Sequence, residues 1–514
     1  EKLNADCSAV IPDSCGTRDC RLQIYKIGDE MVFSGGLCPK GNTQGSSKRS
    51  PDYISLYKNE LDKELSKYSS TARKTDQDET AGGPSAVYIP RSLHFLNERG
   101  VFFASLYHYL GFKVFVSPES DEYIASLGIA HSHSESCYPS KLHYGHTAYL
   151  KECMRHGTDK ILLVNYLGSG EEKAPQNQSK TCPYVSGAGF AAKDALKIDS
   201  SDVLLPVLVF NDDIYKLEDD IIIDLKRAFA GTEYAKSLTG RKVATAVKKA
   251  LKTQEDFNAR MHRMGSEIVE KLKKKNEKIF LGIGRGYTIF DNMASSKIHE
   301  LFIMNGLHFI PCFFLKQPDY DFTDIVRHMY WFQGREMTRY NLLAALDPNL
   351  YGVRETNFNC GPDAMLSYHE GRIFDITGKP YLTLQTDGHN SNAQFGTRAM
   401  ANFEVVKNHI PQKITLKDLE TEYRETDDLK KRILGIPDMG TESSEMLVAV
   451  FKSAGYRAEA MPSKTQESEA WARKYLITNN CLPMHILFGD VFAWVHSKQR
   501  EGLDPNNDLA VFVP

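Results

Sequence analysis

Three cysteines stand where the chain is about to turn into a helix. Cys137 lies in Ser-Glu-Ser-Cys-Tyr-Pro, Cys182 directly precedes Pro183, and Cys360 opens Cys-Gly-Pro-Asp. Proline suits a first helical turn and glycine suits the turn before it, so each thiol is expected at a loop-to-helix junction. Free N–H groups and the positive end of the helix dipole favour a thiolate there. Three thiolates can hold one iron–sulfur cubane and leave its fourth iron open. The same spacing also fits three ordinary buried or turn cysteines. His131, His133, His143 and His146 surround Cys137, which makes a mixed His and Cys zinc site the rival chemistry, with a hydrolytic or structural role.

A second thiol group lies near the start. Cys7, Cys15, Cys20 and Cys38 are separated by seven, four and seventeen residues. Four thiolates can close a tetrahedral zinc site or hold a second iron–sulfur cluster, with free thiols as the alternative. Gly282-Ile283-Gly284-Arg285-Gly286 follows a predicted strand and precedes a predicted helix, the setting of a nucleotide-binding loop. The acidic ribose partner is missing around Phe314 to Lys316, so the glycines read as a tight turn beside a cleft. Gly284 and Arg285 are then candidates for contacting a substrate phosphate. Asp387, His389 and Asn390 lie beyond a strand and before a helix, where capping is the simplest role for Asp or Asn and a place in the cleft is the other.

These residues need elements to carry them. Ile54, Tyr57, Leu61, Leu65 and Tyr68 repeat at helical spacing, and a polar linker follows. From Ala86 short apolar strands alternate with amphipathic helices: Ala86 to Ile89, a helix near Leu93 to Leu110, then Lys113 to Val116. Further strands are expected at Lys160 to Val164, Leu204 to Phe210, Lys278 to Gly282, His308 to Phe314 and Pro380 to Gln385, with helices over Asp213 to Lys275 and Ser295 to Asn305. The alternation predicts an α/β protein with two Rossmann-like lobes of parallel sheet. The expected division is a four-cysteine module at 1–50, helix and linker at 51–85, a first lobe at 86–277 with Cys137 and Cys182, and a second at 278–410 with Cys360. Residues 411–514 form the beginning of a repeated unit.

That repeat shows when the chain is slid against itself by 344 residues: Gly111, Pro118, Cys137, Pro139 and Gly145 coincide with Gly455, Pro462, Cys481, Pro483 and Gly489. Counterparts of Cys182 and Cys360 would fall beyond Pro514, so a longer polypeptide is expected. Ten cysteines in 514 residues are too sparse for a disulfide scaffold, which points to metal ligation in a reducing cytoplasm. A net charge of −3 with scattered Lys and Arg gives no nucleic-acid footprint. The strongest apolar run, Val203 to Phe210, is short and interrupted by Pro206, so no membrane span is expected.

The motifs SCYPSKLHYGH, TCPYVSG, TNFNCGPD and GKPYLTLQTDGHNSNAQFGTR, in that order, resemble those of the 2-hydroxyacyl-CoA dehydratase and double-cubane cluster superfamily, including its large activase-related fusion proteins. The resemblance spans about 86 to 410. It implies cluster ligands at Cys137, Cys182 and Cys360, with Cys481 in a second similar set, and either a [4Fe-4S] or a double-cubane cluster. It also implies low-potential electrons from an ATP-hydrolysing activase, which is a separate or fused partner because no phosphate-binding loop stands in this sequence. The substrate would be an acyl-CoA or another small molecule. Lys141 and His146 fit the motif and become candidates for orienting substrate or donating protons, with helix-surface roles as the alternative. The contrasting expectation is a non-catalytic, zinc- or metal-stabilised scaffold that docks an activase or dehydratase.

Overall fold

A computed structural model describes residues 2–3, 23–27, 30–34, 49–76, 85–96, 98–132, 136–169, 179–210, 213–326, 329–388, 392–420, 428–462, 465–476 and 482–512. The chain divides into two compact units, Glu1–Cys360 with Glu370–Leu419, and Gly361–His369 with Glu420–Pro514. The protein is α/β, with parallel strands in every sheet but the first.

The larger unit opens on three antiparallel strands, β1 (Lys2–Leu3), β2 (Gln23–Ile27) and β3 (Glu30–Ser34). The cysteines predicted to form a metal module there, Cys7, Cys15, Cys20 and Cys38, lie outside the described residues. Helix α1 (Tyr53–Leu65) follows, capped by Asp52, whose carboxylate accepts from the Ser55 amide at 2.9 Å.

The first Rossmann-like sheet uses β4 (Ser70–Thr71), β5 (Ala86–Ile89), β6 (Lys113–Val116), β7 (Lys160–Leu162) and β9 (Val203–Leu204). Their order is β4-β6-β5-β7-β9, all parallel. Every residue of β5 is buried, as a central strand covered on both faces requires. Between β5 and β6 runs α2 (Gly100–Tyr109), and between β6 and β7 run α3 (Glu122–His131) and α4 (Tyr138–Cys153). One continuous helix was expected over Leu93 to Leu110. Instead a 3₁₀ turn at Leu93–Phe95 precedes α2, and a Cβ on Gly100 would stand 2.2 Å from the Phe95 carbonyl oxygen. Beside this sheet, β8 (Asn165–Ser169) pairs in parallel with β10 (Val207–Phe210). The strand expected over Leu204 to Phe210 is thus two strands serving two sheets, divided at Leu205-Pro206, where proline removes a ladder donor. Short helices α5 (Pro183–Ser186) and α6 (Ala188–Ala195) follow β8, and α7 (Ile214–Ala228), α8 (Glu233–Ser237) and α9 (Gly240–Lys273) follow β10. The long α9 buries Val243, Val247, Ala250, Phe257 and Met261 at helical spacing and packs on α2.

The second sheet has the order β12-β11-β13-β14, again all parallel, from β11 (Ile279–Ile283), β12 (His308–Pro311), β13 (Leu350–Asn357) and β14 (Leu382–Thr386). The strand predicted over His308 to Phe314 stops at Pro311 and turns into a 3₁₀ helix at Cys312–Phe314. Its helices are α10 (Gly286–Ile289), α11 (His299–Met304), α12 (Phe332–Leu346), α13 (Gly361–Thr377) and α14 (Asn392–Asn408).

In the smaller unit β15 (Ile433–Ile436), α15 (Thr441–Ser453), β16 (Arg457–Ala460), α16 (Gln466–Tyr475), α17 (Leu482–Arg500), α18 (Pro505–Asp508) and β17 (Leu509–Val511) build a parallel sheet of order β16-β15-β17. That is the order β6-β5-β7 over again. The spans of β16 and α16 lie 344 residues after those of β6 and α3, and α17 starts 344 residues after α4. Gly111 and Gly455 share a left-handed backbone, with φ of 97° and 85°.

Candidate functional site

All three motif cysteines occupy the N-cap position of a helix with proline at its first or second residue: Cys137 before α4, Cys182 before α5 and Cys360 before α13. Each has extended backbone, with φ and ψ of −64° and 154°, −66° and 155°, and −83° and 96° respectively. Each of the three residues is half-buried. Asn359, in the left-handed region at φ 63°, bends the chain out of β13 into Cys360, a conformation asparagine tolerates. The Cys182 loop is tied to the second sheet's helices by a bridge from Lys180 to Trp331, with the Phe332 amide donating to the Lys180 carbonyl at 2.8 Å.

The thiols come together around Arg285 and Tyr287. Arg285 leaves the end of β11 and donates from Nη1 to Cys360 Sγ at 3.3 Å. Burial pushes the Cys137 thiol up to about 11; the Ser140 amide and Arg285 pull it down, while Cys182 pushes it further up. No cap hydrogen bond of regular geometry forms at Cys137. Tyr287 is buried, and burial holds its hydroxyl well above the ordinary range. Arg285 opposes that shift, and Cys182, Cys360 and Cys137 all reinforce it. One tyrosine thus feels all three cysteines. Arg285 is in turn oriented by Gln333, the second residue of α12: its Nε donates to Gln333 Oε1 at 3.1 Å, and Gln333 Nε2 donates to Glu98 Oε1 at 2.7 Å. Tyr287, Gln333 and Glu98 were missed in the sequence, where the only signal was Tyr287 two residues beyond Arg285.

Gly284 is required sterically, since a Cβ there would lie 2.5 Å from the Glu355 carbonyl oxygen and 2.7 Å from Thr288 Oγ1. Asp387, beyond β14, lies near Tyr138, whose ionisation it opposes after burial and Asp291, and a Cβ on neighbouring Gly388 would touch the Tyr138 ring at 3.0 Å. Asp387 therefore faces the start of α4, one residue from Cys137. His389 and Cys481 fall outside the described residues. Lys141 sits half-buried on the first turn of α4. His146 has no exposed surface, and both ring nitrogens are engaged, Nδ1 with Ser117 Oγ at 2.9 Å and Nε2 with Ser120 Oγ at 2.8 Å. Burial pushes its pKa down to about 3, so it is a neutral framework group and not a helix-surface residue. His143 is likewise buried and pushed down to about 4, with Nδ1 on Ser92 Oγ at 2.8 Å. Among the described residues no three His, Cys, Asp or Glu side chains surround a single ion position. A cubane instead spreads its thiolates over separate irons around a larger body, and three thiols at helix N-termini beside a guanidinium are a donor set that suits it.

Residues 86–314 match the family model described as CoA enzyme activase uncharacterised domain. The match runs from β5 past β12 and includes Cys137, Cys182 and Arg285 but ends before Cys360. Over that segment the chain is similar to CoA-enzyme-activase-related proteins. No curated protein matches. Among solved structures, one described as "Putative sugar binding protein" from Salmonella typhimurium LT2 is 11% identical, with 69% of this chain and 98% of that chain covered at a TM-score of 0.15. No helix among the described residues is long and apolar enough to cross a membrane.

Proposed function

We propose that this protein is the iron–sulfur redox component of an ATP-dependent system, in which Cys137, Cys182 and Cys360 hold a cluster. It takes low-potential electrons from an ATP-hydrolysing activase and passes them to a bound acyl-CoA or other small molecule. The observation that carries this reading is the gathering of three cysteines, each at a helix N-cap position, around Arg285 and Tyr287. The match of residues 86–314 to an activase-related domain supports the company it keeps. When bound, such a cluster supplies one-electron transfer and an iron position open to substrate.

The chain's own residues do the rest. Arg285 offsets the negative charge of three thiolates and fixes the Cys360 sulfur. Tyr287, held protonated by burial, keeps a neutral hydroxyl beside the thiols that can donate a hydrogen bond. Burial pushes the Cys137 thiol up to about 11, so at neutral pH it holds its proton, and a metal binding there displaces it, which makes loading weaken as pH falls.

Iron, sulfide and zinc measured on anaerobically purified protein test this, with a Cys137→Ser, Cys182→Ser, Cys360→Ser triple variant as comparison. The expected result is iron and sulfide in the wild type, lost in the variant. Iron that persists in the variant, or zinc alone, would sink the cluster assignment and leave a metal-stabilised scaffold that docks an activase.

A further inference from the structure

Behind Arg285 the fold leaves a cavity of about 190 Å³, lined by Glu98, Arg99, Tyr166, His262, Gln317 and Glu336 among others. It is smaller than the roughly 300 Å³ at which ligand pockets begin, and at about 30 Å³ per molecule it has room for some six waters. Its walls mix these polar groups with the rings of Tyr57, Phe313, Phe332 and Tyr340. Glu98 places Oε1 on the Gln333 amide, while its Oε2 is buried with no hydrogen-bond partner. From Glu98 an unbroken line of hydrogen bonds leads out of the cavity to a thiol: Gln333 Nε2 to Glu98 at 2.7 Å, Arg285 Nε to Gln333 at 3.1 Å, and Arg285 Nη1 to Cys360 Sγ at 3.3 Å.

We infer that Glu98 is the proton-accepting partner of the thiolate site: each negative charge gained around Cys360 is matched by a proton taken up on Glu98 from the cavity. The geometry explains why. Arg285 is one cation serving two anions, Cys360 at one end and, through Gln333, Glu98 at the other. Burial disfavours the Glu98 carboxylate, and Gln333, Arg99 and Arg285 are what stabilise it. When negative charge accumulates at the thiols, the field of Arg285 is spent there and the Glu98 carboxylate loses compensation. A proton then enters at Glu98, whose Oε2 is free to carry it.

Among the other titratable groups lining the cavity, the tyrosines and His262 do not compete for that proton. Tyr166 and Tyr340 are held protonated by burial, and His262 is pushed toward its neutral form by burial and Lys316. Arg99 lies over the Phe210 ring, and Glu336 is the cavity's second acid, with interactions of its own. In the redox form of the step, one electron arrives from an external reductant, the activase or dithionite, and one proton from bulk water moves through the cavity onto the Glu98 carboxylate. No bond other than the new O–H forms.

The redox form rests on the cluster assignment; the link between Glu98 and Cys360 does not. Two measurements keep them apart. On the metal-free full chain, alkylation of Cys360 by iodoacetamide is followed against pH in a Cys137→Ser, Cys182→Ser background, with and without Glu98→Gln. A permanently neutral residue 98 leaves Arg285 wholly to the thiolate, so the Cys360 midpoint drops by about half to one pH unit and the rate at pH 8 rises about threefold to tenfold. Gln333→Leu, which keeps Glu98 but breaks the line, brings the profile toward that of Glu98→Gln. On anaerobic protein that holds iron, dithionite titrations from pH 6 to 9 give a midpoint potential falling by up to about 59 mV per pH unit, and Glu98→Gln flattens the slope. An unchanged Cys360 profile in Glu98→Gln overturns the inference whatever the iron content. Iron present with a pH-independent potential overturns its redox form, and a chain without cysteine-bound iron removes the cluster while the alkylation profile still decides the rest.

Discussion

Neutral His146 holds the helix behind Cys137 in place, and the direction of each hydrogen bond around it can be assigned. Ser120 Oγ gives its one hydroxyl proton to the Asp291 carboxylate and so must accept from His146, which leaves Nδ1 to accept from Ser117 Oγ, itself the acceptor for the Arg91 amide at 2.7 Å. His146 then carries its proton on Nε2, donates to Ser120 Oγ, and Ser120 donates to the Asp291 carboxylate. The folded-state pKa of about 3 lies below the unfolded value of about 6.5, so only the unfolded chain takes up this proton as pH falls through 6.5. Stability supplied here is therefore present above that pH and lost below it, down to about 3. A His146→Gln variant cannot titrate at this position, and the stability gap between wild type and variant should shrink by about 1.4 kcal/mol between pH 7.5 and 5.5. Urea unfolding at the two pH values checks this, and a gap that stays constant would mean His146 is already charged or reached by solvent. At this scale the sequence was informative about the thiols, because proline after cysteine marks a helix start whatever the fold. It was silent on Gln333 and Glu98, which reach Arg285 from distant segments and have no local spacing to betray them, and for Tyr287 it offered only the place two residues beyond Arg285.

At the scale of elements, the edge that carries Arg285 depends on a glycine that lets two strands' ends approach. Gly284→Ala would press a Cβ into the Glu355 carbonyl oxygen at 2.5 Å, an atom fixed in β13, so the turn and not a flexible side chain has to move. The expected cost is about 1–3 kcal/mol in unfolding free energy. Gly361→Ala, with nothing within 4 Å of its Cβ, stays within about 0.5 kcal/mol of wild type. Equal costs in urea titrations of the two variants would refute the assigned contact. Strands such as Ala86–Ile89 and Lys113–Val116 were legible because their apolar runs are bounded by turn residues. The central strand β13 was not recognised at all. It buries Arg354 and Glu355 with every other residue of Leu350–Asn357, and a charged pair within a run reads as surface. For Arg354 what allows it is Glu370 on α13, which pairs with it and also accepts from Asn341 Nδ2 at 2.7 Å and from the Tyr381 hydroxyl at 2.6 Å, while burial holds the Glu355 carboxyl well above its ordinary range.

Over the whole molecule, one packing solution is used twice. In the larger unit a Cβ on Gly145 of α4 would lie 2.0 Å from the Ile124 carbonyl oxygen of α3, and in the smaller unit a Cβ on Gly489 of α17 would lie 2.3 Å from the Ser468 carbonyl oxygen of α16. Ile124 and Ser468 are themselves 344 residues apart, so the matched glycines mark a matched helix crossing. The repeat was visible in the sequence through backbone-constrained positions, Gly111 and Gly455 by their positive φ and Gly145 and Gly489 by close contact, while the apolar residues between them are interchangeable. If each crossing stabilises only its own unit, Gly145→Ala and Gly489→Ala should act on different parts of the unfolding curve. Scanning calorimetry is expected to resolve more than one transition, as chains with separate compact units commonly do. Each substitution should cost about 1–3 kcal/mol in its unit. For the smaller unit that means a fall of about 4–8 °C per kcal/mol in the transition that Gly489→Ala affects, and for the larger unit about 2 °C or less per kcal/mol in the one that Gly145→Ala affects. A single transition lowered alike by both variants would show that the two units melt as one cooperative body, and that the crossing beneath Cys137 is stabilised by the whole chain and not by its own lobe.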